Sequence, residues 1–313
     1  MKRILLFVLI LLIVFVSCVY IFTPGQMRIS ADATAPCISK NASRCLTDKV
    51  IIDQWWPEHN AKKNDSVFRY KNIDYTIREA FTDGAAIQLG KEGKSLSTKL
   101  TIIPYGKDSC AGHWETSFAA SLNPFKRVSQ YFNAVNIKAN MQEILNSLLL
   151  FASDTKNVYG FPIERTTFTD TILFATRFSS KTYPSVETIY DRIDDIKKKI
   201  KDAGATEKDF PMLNVNQLDS NEYETMIAIC VNKEIPGDHN FFVSRMVTMK
   251  DRFLKTEVTG GEQAIQKAHK AIRNYMEDRF LSPPAIPFEI LVTDRSKEKD
   301  TSKWKTIIFH PSM

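Results

Sequence analysis

Cysteine is scarce, with five residues (Cys18, Cys37, Cys45, Cys110, Cys230) in 313 and no CxxC or closely paired spacing. That excludes a disulfide scaffold and a cysteine-rich zinc site. Glycine is low too, 11 residues beside 13 prolines, and 43% of the chain is hydrophobic and 25% charged, the composition of an ordinary packed protein. Charge of one sign is also missing: 42 Lys+Arg against 36 Asp+Glu leave +6, and setting aside Lys2 and Arg3 leaves +4. This is too little to argue for nucleic acid as a partner. No GxSxG is present, so a serine nucleophile has no elbow to sit on. Gly93-Lys94-Ser95 matches the end of a phosphate-binding loop, but the position of its first glycine is Gln88, and the segment reads as a turn. The histidines (His59, His113, His239, His269, His310) stand thirty or more residues apart, so only the fold can bring two together. No metal, cofactor or catalytic residue is assigned from sequence.

One long hydrophobic run is present. After Lys2-Arg3, residues Ile4 to Phe22 carry no charge in nineteen positions and end at Thr23-Pro24-Gly25. At 1.5 Å per residue the run spans about 28 Å, near the roughly 30 Å of a bilayer core, and the bases before it favour a cytoplasmic N-terminus. The expectation is a single-pass signal anchor over residues 1–23 in the cell inner membrane, with the C-terminal domains facing the periplasm. A cleaved signal peptide fits less well, because the apolar run is long and Ala31-Asp32-Ala33 lies well past it. A lipid-modified Cys18 fits less well again, since Phe15-Val16-Ser17 is a poor leader for one.

The length suggests about two globular units. From residue 26 to about 124 the pattern is strand-like, as in Ser66-Val-Phe-Arg-Tyr70, Ser97-Thr-Lys-Leu-Thr-Ile-Ile103 and Gly112-His-Trp-Glu-Thr-Ser-Phe118, with turns at Thr82-Asp83-Gly84 and Pro104-Tyr-Gly-Lys-Asp108. After Asn123-Pro124, Val128, Tyr131, Phe132, Val135, Ala139, Ile144, Leu145, Leu148 and Phe151 recur at helical spacing, predicting one long amphipathic helix on the sheet. Together with Trp55-Trp56-Pro57 and Gly112-His-Trp-Glu115, this order resembles the helix-grip fold of the START and polyketide-cyclase-like (SRPBCC) superfamily, over residues 24–155.

From Asn157 a second pattern runs twice: strand, helix, strand, strand. Phe210-Pro211-Met212-Leu213 and Ile286-Pro287-Phe288-Glu289 hold the same place in each half, which predicts two βαββ halves about a pseudo-twofold axis. Val186, Ile189, Tyr190, Ile193, Ile196 and Ile200 share one helix face, and Ala264, Ala268, Ala271, Ile272 and Tyr275 another. With Asn157-Val-Tyr-Gly-Phe161, Tyr183-Pro184 and Thr301-Ser-Lys-Trp-Lys-Thr306, residues 156–313 resemble the effector-binding domain of the bacterial gyrase inhibitor and of AraC-type and multidrug-responsive regulators, a SOUL-like arrangement. The fold class expected for the whole chain is thus α+β, a helix-grip domain followed by a duplicated effector-binding domain. That family encloses an apolar pocket, often with a glutamate two or three residues after the last-strand tryptophan; here the register holds Ile307.

Both resemblances imply cavities lined by aromatic side chains. The candidate ligand contacts are Trp55, Trp56, Trp114 and Glu115 in the first domain, and Tyr190, Tyr223, Phe288 and Trp304 in the second. Glu115 beside Trp114 and Glu289 beside Phe288 are the carboxylates nearest such cavities, although alternation along a strand turns the neighbour of an inward ring outward, toward solvent. The expected function is membrane-anchored binding of an apolar or amphipathic small molecule. The alternatives are an enzyme, a cyclase or hydrolase acting on a hydrophobic substrate through Glu115 or His113, and a lipid-handling protein. The sequence leaves the oligomeric state open.

Overall fold

The computed structural model describes residues 2–58, 67–90, 95–169, 171–219, 222–246 and 248–313; His59, Ser66 and the Gly93-Lys94 turn lie outside them. The chain is α+β, and it divides into two compact units, Met1–Asp154 and Thr155–Met313.

The first unit runs α1 (Lys2–Phe22), β1 (Gln26–Ala35), α2 (Ser39–Arg44), α3 (Lys49–Trp55), β2 (Val67–Tyr70), β3 (Ile73–Phe81), β4 (Gly84–Leu89), β5 (Leu96–Pro104), β6 (Cys110–Ala119) and α4 (Pro124–Ser153). Its strands form one antiparallel sheet in the order β1-β6-β5-β4-β3-β2, with β1 closing against β6 from Gln26↔Ala119 to Ala35↔Cys110. Helix α4 starts where Asn123 caps it, the side-chain oxygen accepting from the amides of Phe125 and Lys126 at 3.0 and 3.2 Å, with Pro124 in the first turn. The second half of α4 buries Met141, Ile144, Leu145, Leu148 and Leu149, and it comes so close to β6 that a side chain at Gly112 would stand 2.6 Å from Leu145 Cδ1. The first half departs from the predicted face. Tyr131, Phe132 and Val135 are exposed, while Arg127, Ala134 and Asn140 are buried. Arg127 donates from Nε to Thr23 Oγ1 at 2.8 Å and from Nη2 to the Thr23 carbonyl at 2.6 Å.

The expected anchor is not supported. Among the described residues no helix is long and apolar enough to cross a membrane. This corrects the single-pass inner-membrane, periplasm-facing localisation expected from the sequence. The end of α1 is instead held by its own unit: Arg127 lies 4.8 Å from the Tyr20 ring centre, Phe15 stacks on Phe125 at 5.5 Å, and Tyr20 donates to the Leu122 carbonyl.

The second unit runs α5 (Thr155–Tyr159), β7 (Glu164–Phe168), β8 (Thr171–Ser180), α6 (Val186–Asp202), β9 (Met212–Asp219), β10 (Glu222–Val231), β11 (Phe241–Met246), β12 (Met249–Thr259), α7 (Glu262–Asp278), β13 (Phe288–Leu291) and β14 (Lys305–Pro311). All eight strands form one antiparallel sheet in the order β11-β8-β10-β9-β13-β14-β12-β7. The order forces the sheet to curl. Phe168 at the end of β7 and Thr171 at the start of β8 are three positions apart, within roughly 11 Å of chain, yet β7 and β8 stand six places apart in the sheet. Met246 of β11 and Met249 of β12 impose the same closure from the other edge. β7 and β8, although consecutive in the chain, are therefore separate strands at opposite sides of the sheet.

Alternation along the strands sorts side chains onto two faces. One face carries Phe174, Leu213, Ile227, Ile229 and Leu291 under the apolar side of α6, and Leu254, Val258 and Ile308 under α7. The other carries Leu173, Met212, Ala228, Cys230, Phe253, Phe288, Ile290 and Phe309, packed on the inside of the curl. Both faces are covered, so every residue of β13 is buried.

Candidate functional site

Helices α6 and α7 begin on the same side of the second unit, and a cleft of about 1020 Å³ opens between their N-terminal ends. Ser185 caps α6, its Oγ accepting from the Thr188 amide at 3.1 Å. Gly261 stands at the corresponding place on α7 and offers no side-chain cap, so the first amides of that helix face the cleft without one. The walls are aromatic at Phe161, Tyr183 and Trp304 and charged at Arg295, Lys267 and Glu262.

Arg295 organises the floor. Its guanidinium lies 4.9 Å from the Trp304 ring centre, and Nη2 donates to Thr306 Oγ1 at 2.8 Å and to Glu289 Oε2 at 3.4 Å. Its Nε is buried without a hydrogen-bond partner among the described residues. The Tyr190 hydroxyl accepts from the Arg295 amide at 2.8 Å and donates to the Thr293 carbonyl at 3.1 Å. Trp304 is fixed in turn by donation from Nε1 to the Glu298 carbonyl at 3.0 Å.

Behind Arg295 runs a buried polar chain. His269 of α7 meets Glu289 Oε1 through Nε2 at 3.3 Å and His310 Nε2 through Nδ1 at 2.9 Å. Burial, with His269 and Arg273 nearby, pushes His310 down to about 3. Burial also raises the Tyr183 phenol, reinforced by the carboxylates of Glu289 and Glu262. This network fixes one carboxyl group, one guanidinium and two imidazoles in an interior where each is strongly felt.

The sequence-derived candidates fall in four places. Trp304 lines the cleft, and Tyr190 sits behind it, its hydroxyl fully used in holding Arg295. Tyr223 is half-buried and meets Tyr183 edge-on at 5.9 Å. Phe288 faces away from the cleft, stacked on Phe309 at 5.1 Å inside the curl. In the first unit, Trp55, Trp56 and Trp114 are buried in one aromatic row with Phe68 and Tyr75, and their indole N–H groups donate to the Cys45 carbonyl, the Arg69 carbonyl and Thr98 Oγ1. Glu115 lies on the open outer face of that sheet, beside His113, which it meets at 3.4 Å while Asp32 meets the other ring nitrogen at 2.6 Å. The hydrogen bond to Asp32 raises the His113 pKa, with that to Glu115 adding to it.

Glu289 corrects the alternation argument. Its neighbour Phe288 points inside the curl, so Glu289 does point the other way, but that face lies under α7 rather than in water. His269, His310, Thr306 and Arg295 escaped the sequence reading. Arg295 stands in Asp294-Arg-Ser-Lys-Glu-Lys-Asp300, which reads as a solvated loop. Among the described residues no group of three or more His, Cys, Asp or Glu side chains is arranged to hold a metal.

No family model matches the chain, and no curated protein matches it. Among solved structures it is similar to the C-terminal domain of EcmrR, at 14% identity and a TM-score of 0.42, covering 49% of this chain and 98% of that one. It is also similar to EcmrR in its complex with DNA, at 15% identity and a TM-score of 0.43 over 60% of this chain and 70% of that one. A hydrolase from Listeria innocua is similar at 11% identity and a TM-score of 0.37, over 48% and 91% of the two chains.

Proposed function

We propose that the chain is a small-molecule-binding protein of the effector-binding kind, and that an amphipathic ligand lies in the cleft between the N-terminal ends of α6 and α7. The observation that carries this reading is Arg295: a buried guanidinium with an unpartnered Nε, packed on Trp304, beside the uncapped start of α7. A ligand with an apolar body and an acceptor at one end would lay its body on Trp304 and Tyr183 and satisfy donors that otherwise lack partners. Glu257 does not oppose such an acceptor, because Lys255 holds it at 2.8 Å. Residues 156–313 are read as a gyrase-inhibitor-like domain built by duplication, on the repeated strand-helix-strand-strand order and on Tyr183-Pro184 and Trp304. Residues 24–155 are read as a helix-grip domain, on the meander of strands and the long closing helix. In that domain Trp55, Trp56 and Trp114 are assigned to the core rather than to a ligand.

The test is a fluorescence titration of the full chain with 1-anilinonaphthalene-8-sulfonate, an amphipathic probe. Saturable binding of one probe per chain is expected, at least tenfold weaker in Trp304→Ala. Equal affinity in the variant would remove Trp304 from the site and the reading with it. A second reading, an enzyme acting on a hydrophobic substrate, is favoured by the Asp32–His113–Glu115 trio; it requires that His113→Ala abolish turnover while the fold survives.

A further inference from the structure

Two buried thiols meet in the first unit, away from the ligand cleft of the second. The sulfurs of Cys37 and Cys110 stand 3.3 Å apart. We infer that this pair is a covalent modification site: the two cysteines are joined as a disulfide while the chain folds, tying the entry of α2 to the start of β6.

The sheet register makes the pair. Ala35 of β1 faces Cys110 of β6 at the last step of their ladder, and the chain then bends through Pro36 and Cys37 before α2 begins. That bend carries the Cys37 sulfur back over Cys110. A disulfide needs about 2.05 Å between sulfurs, so a gap of roughly 1 Å remains, within reach of rotation about the two Cα–Cβ bonds. Cys45 is the competing partner, a thiol that burial, with the charge of Cys37 adding to it, pushes up to about 12. Helix α2 keeps it apart. The residues Ser39–Arg44 between Cys37 and Cys45 rise about 9 Å along the helix axis, beyond the roughly 7 Å between Cα atoms that a bridge tolerates. Cys230 lies in the core of the second unit, and Cys18 is exposed on α1.

The bond forms before burial is complete. In the folded chain Cys37 and Cys110 are 1% and 0% exposed, which shields both sulfurs from an oxidant. In the unfolded chain both ionise as ordinary cysteines, and one thiolate attacks a low-molecular-weight disulfide such as oxidised glutathione, giving a mixed disulfide and releasing one glutathione thiolate. Pairing of β1 with β6 then brings up the second cysteine thiolate, which attacks the protein sulfur of the mixed disulfide and releases the second glutathione. The two cysteines give up two electrons and two protons in all, and the oxidant takes them as two glutathione thiols. Once the unit has closed, the same burial keeps reductants out. The bridge encloses about 70 residues, with α2, α3 and β2 to β5 among them, and so removes much of the freedom of the unfolded chain.

The experiment uses the full chain. It is unfolded in urea with a reductant, freed of the reductant and refolded in a mixture of reduced and oxidised glutathione; remaining thiols are alkylated in denaturant and the peptides mapped by mass spectrometry. Most molecules are expected to carry the Cys37–Cys110 bridge, with Cys18, Cys45 and Cys230 alkylated, and to melt about 5–10 °C above the reduced chain. The folded, reduced chain placed in the same mixture should acquire the bridge roughly tenfold more slowly or less. Cys45→Ser should keep both the bridge and the rise in melting temperature, and Cys110→Ala should lose both. Five alkylated thiols after refolding, a bridge that uses Cys45 or Cys230, a melting temperature no higher than that of the reduced chain, or equally fast bridging of the folded chain would overturn the inference. Because the peptide map of the unsubstituted chain names the bridged pair directly, a poorly folding Cys110 variant does not prevent the decision.

Discussion

Glu289 and Arg295 show how much one buried pair constrains. Their side chains are 9% and 7% exposed and meet at 3.4 Å, so deleting the carboxylate leaves a guanidinium charge buried among Trp304, Tyr183 and Thr306. Glu289→Ala is expected to cost about 3 kcal/mol, the usual penalty for an uncompensated buried charge, whereas Glu289→Gln keeps an acceptor and should cost about 1 kcal/mol. Urea unfolding of the two variants decides this, and equal losses would mean that Thr306 alone satisfies Arg295. His310 predicts a pH dependence with a definite sign. Its pKa is held at about 3 in the fold, below the ordinary 6.5, so between those values the unfolded chain takes a proton that the native one refuses. The stability that neutral His310 contributes is therefore whole above pH 6.5 and falls with acid by up to about 1.4 kcal/mol per pH unit. Unfolding midpoints at pH 7 and pH 5 should diverge less in His310→Gln. In the first unit Cys37 and Cys110 stand with their sulfurs 3.3 Å apart. The hydrogen bond with Cys37, reinforced by burial, pushes the Cys110 thiol up, so little thiolate forms and oxidised glutathione should join the pair only slowly. Mass spectrometry after alkylation reads the bridge as two protected thiols.

Among the elements, those built on apolar periodicity were legible and those built on polar contact were not. The faces of α6 and α7 were plain from residues such as Ile193, Ile196 and Ile272, because each helix needs only one apolar stripe against a sheet. Strand β11 and the split of β7 from β8 were missed. Glu164-Arg-Thr-Thr-Phe168 does not alternate as an edge of a curled sheet is expected to, and pairing across eight strands leaves no local trace. The first half of α4 misled for the opposite reason. Its apolar residues suggested an inward face, yet the buried positions there are held by hydrogen bonds from Arg127 to Thr23. The cleft shows the same division: Trp304 and Tyr190 stand out in the sequence, while Arg295, His269 and Glu289 look like surface charge until both faces of β13 are seen to be covered. The turn between β3 and β4 offers a test at this scale. Gly84 has φ of +156°, and a Cβ there would lie 2.0 Å from the Leu100 carbonyl oxygen in the middle of the sheet. Gly84→Ala should cost about 3 kcal/mol or more, since both the backbone angle and the neighbouring strand resist it.

At the scale of the whole molecule, the two units place their chemistry differently. The first fills its interior with aromatic rings, the indole N–H groups of Trp55, Trp56 and Trp114 each donating a hydrogen bond, and shows its titratable trio, Asp32, His113 and Glu115, on an open sheet face. The second keeps charge in its interior, where burial makes each interaction strong, and opens one amphipathic cleft above it. The proposed ligand cleft lies in the second unit. The most direct measurement is a crystal structure of the full chain soaked with 1-anilinonaphthalene-8-sulfonate. The account predicts the naphthalene ring against Trp304 and the sulfonate between Arg295 and the first amides of α7. Probe density elsewhere, with that cleft holding only solvent, would contradict it.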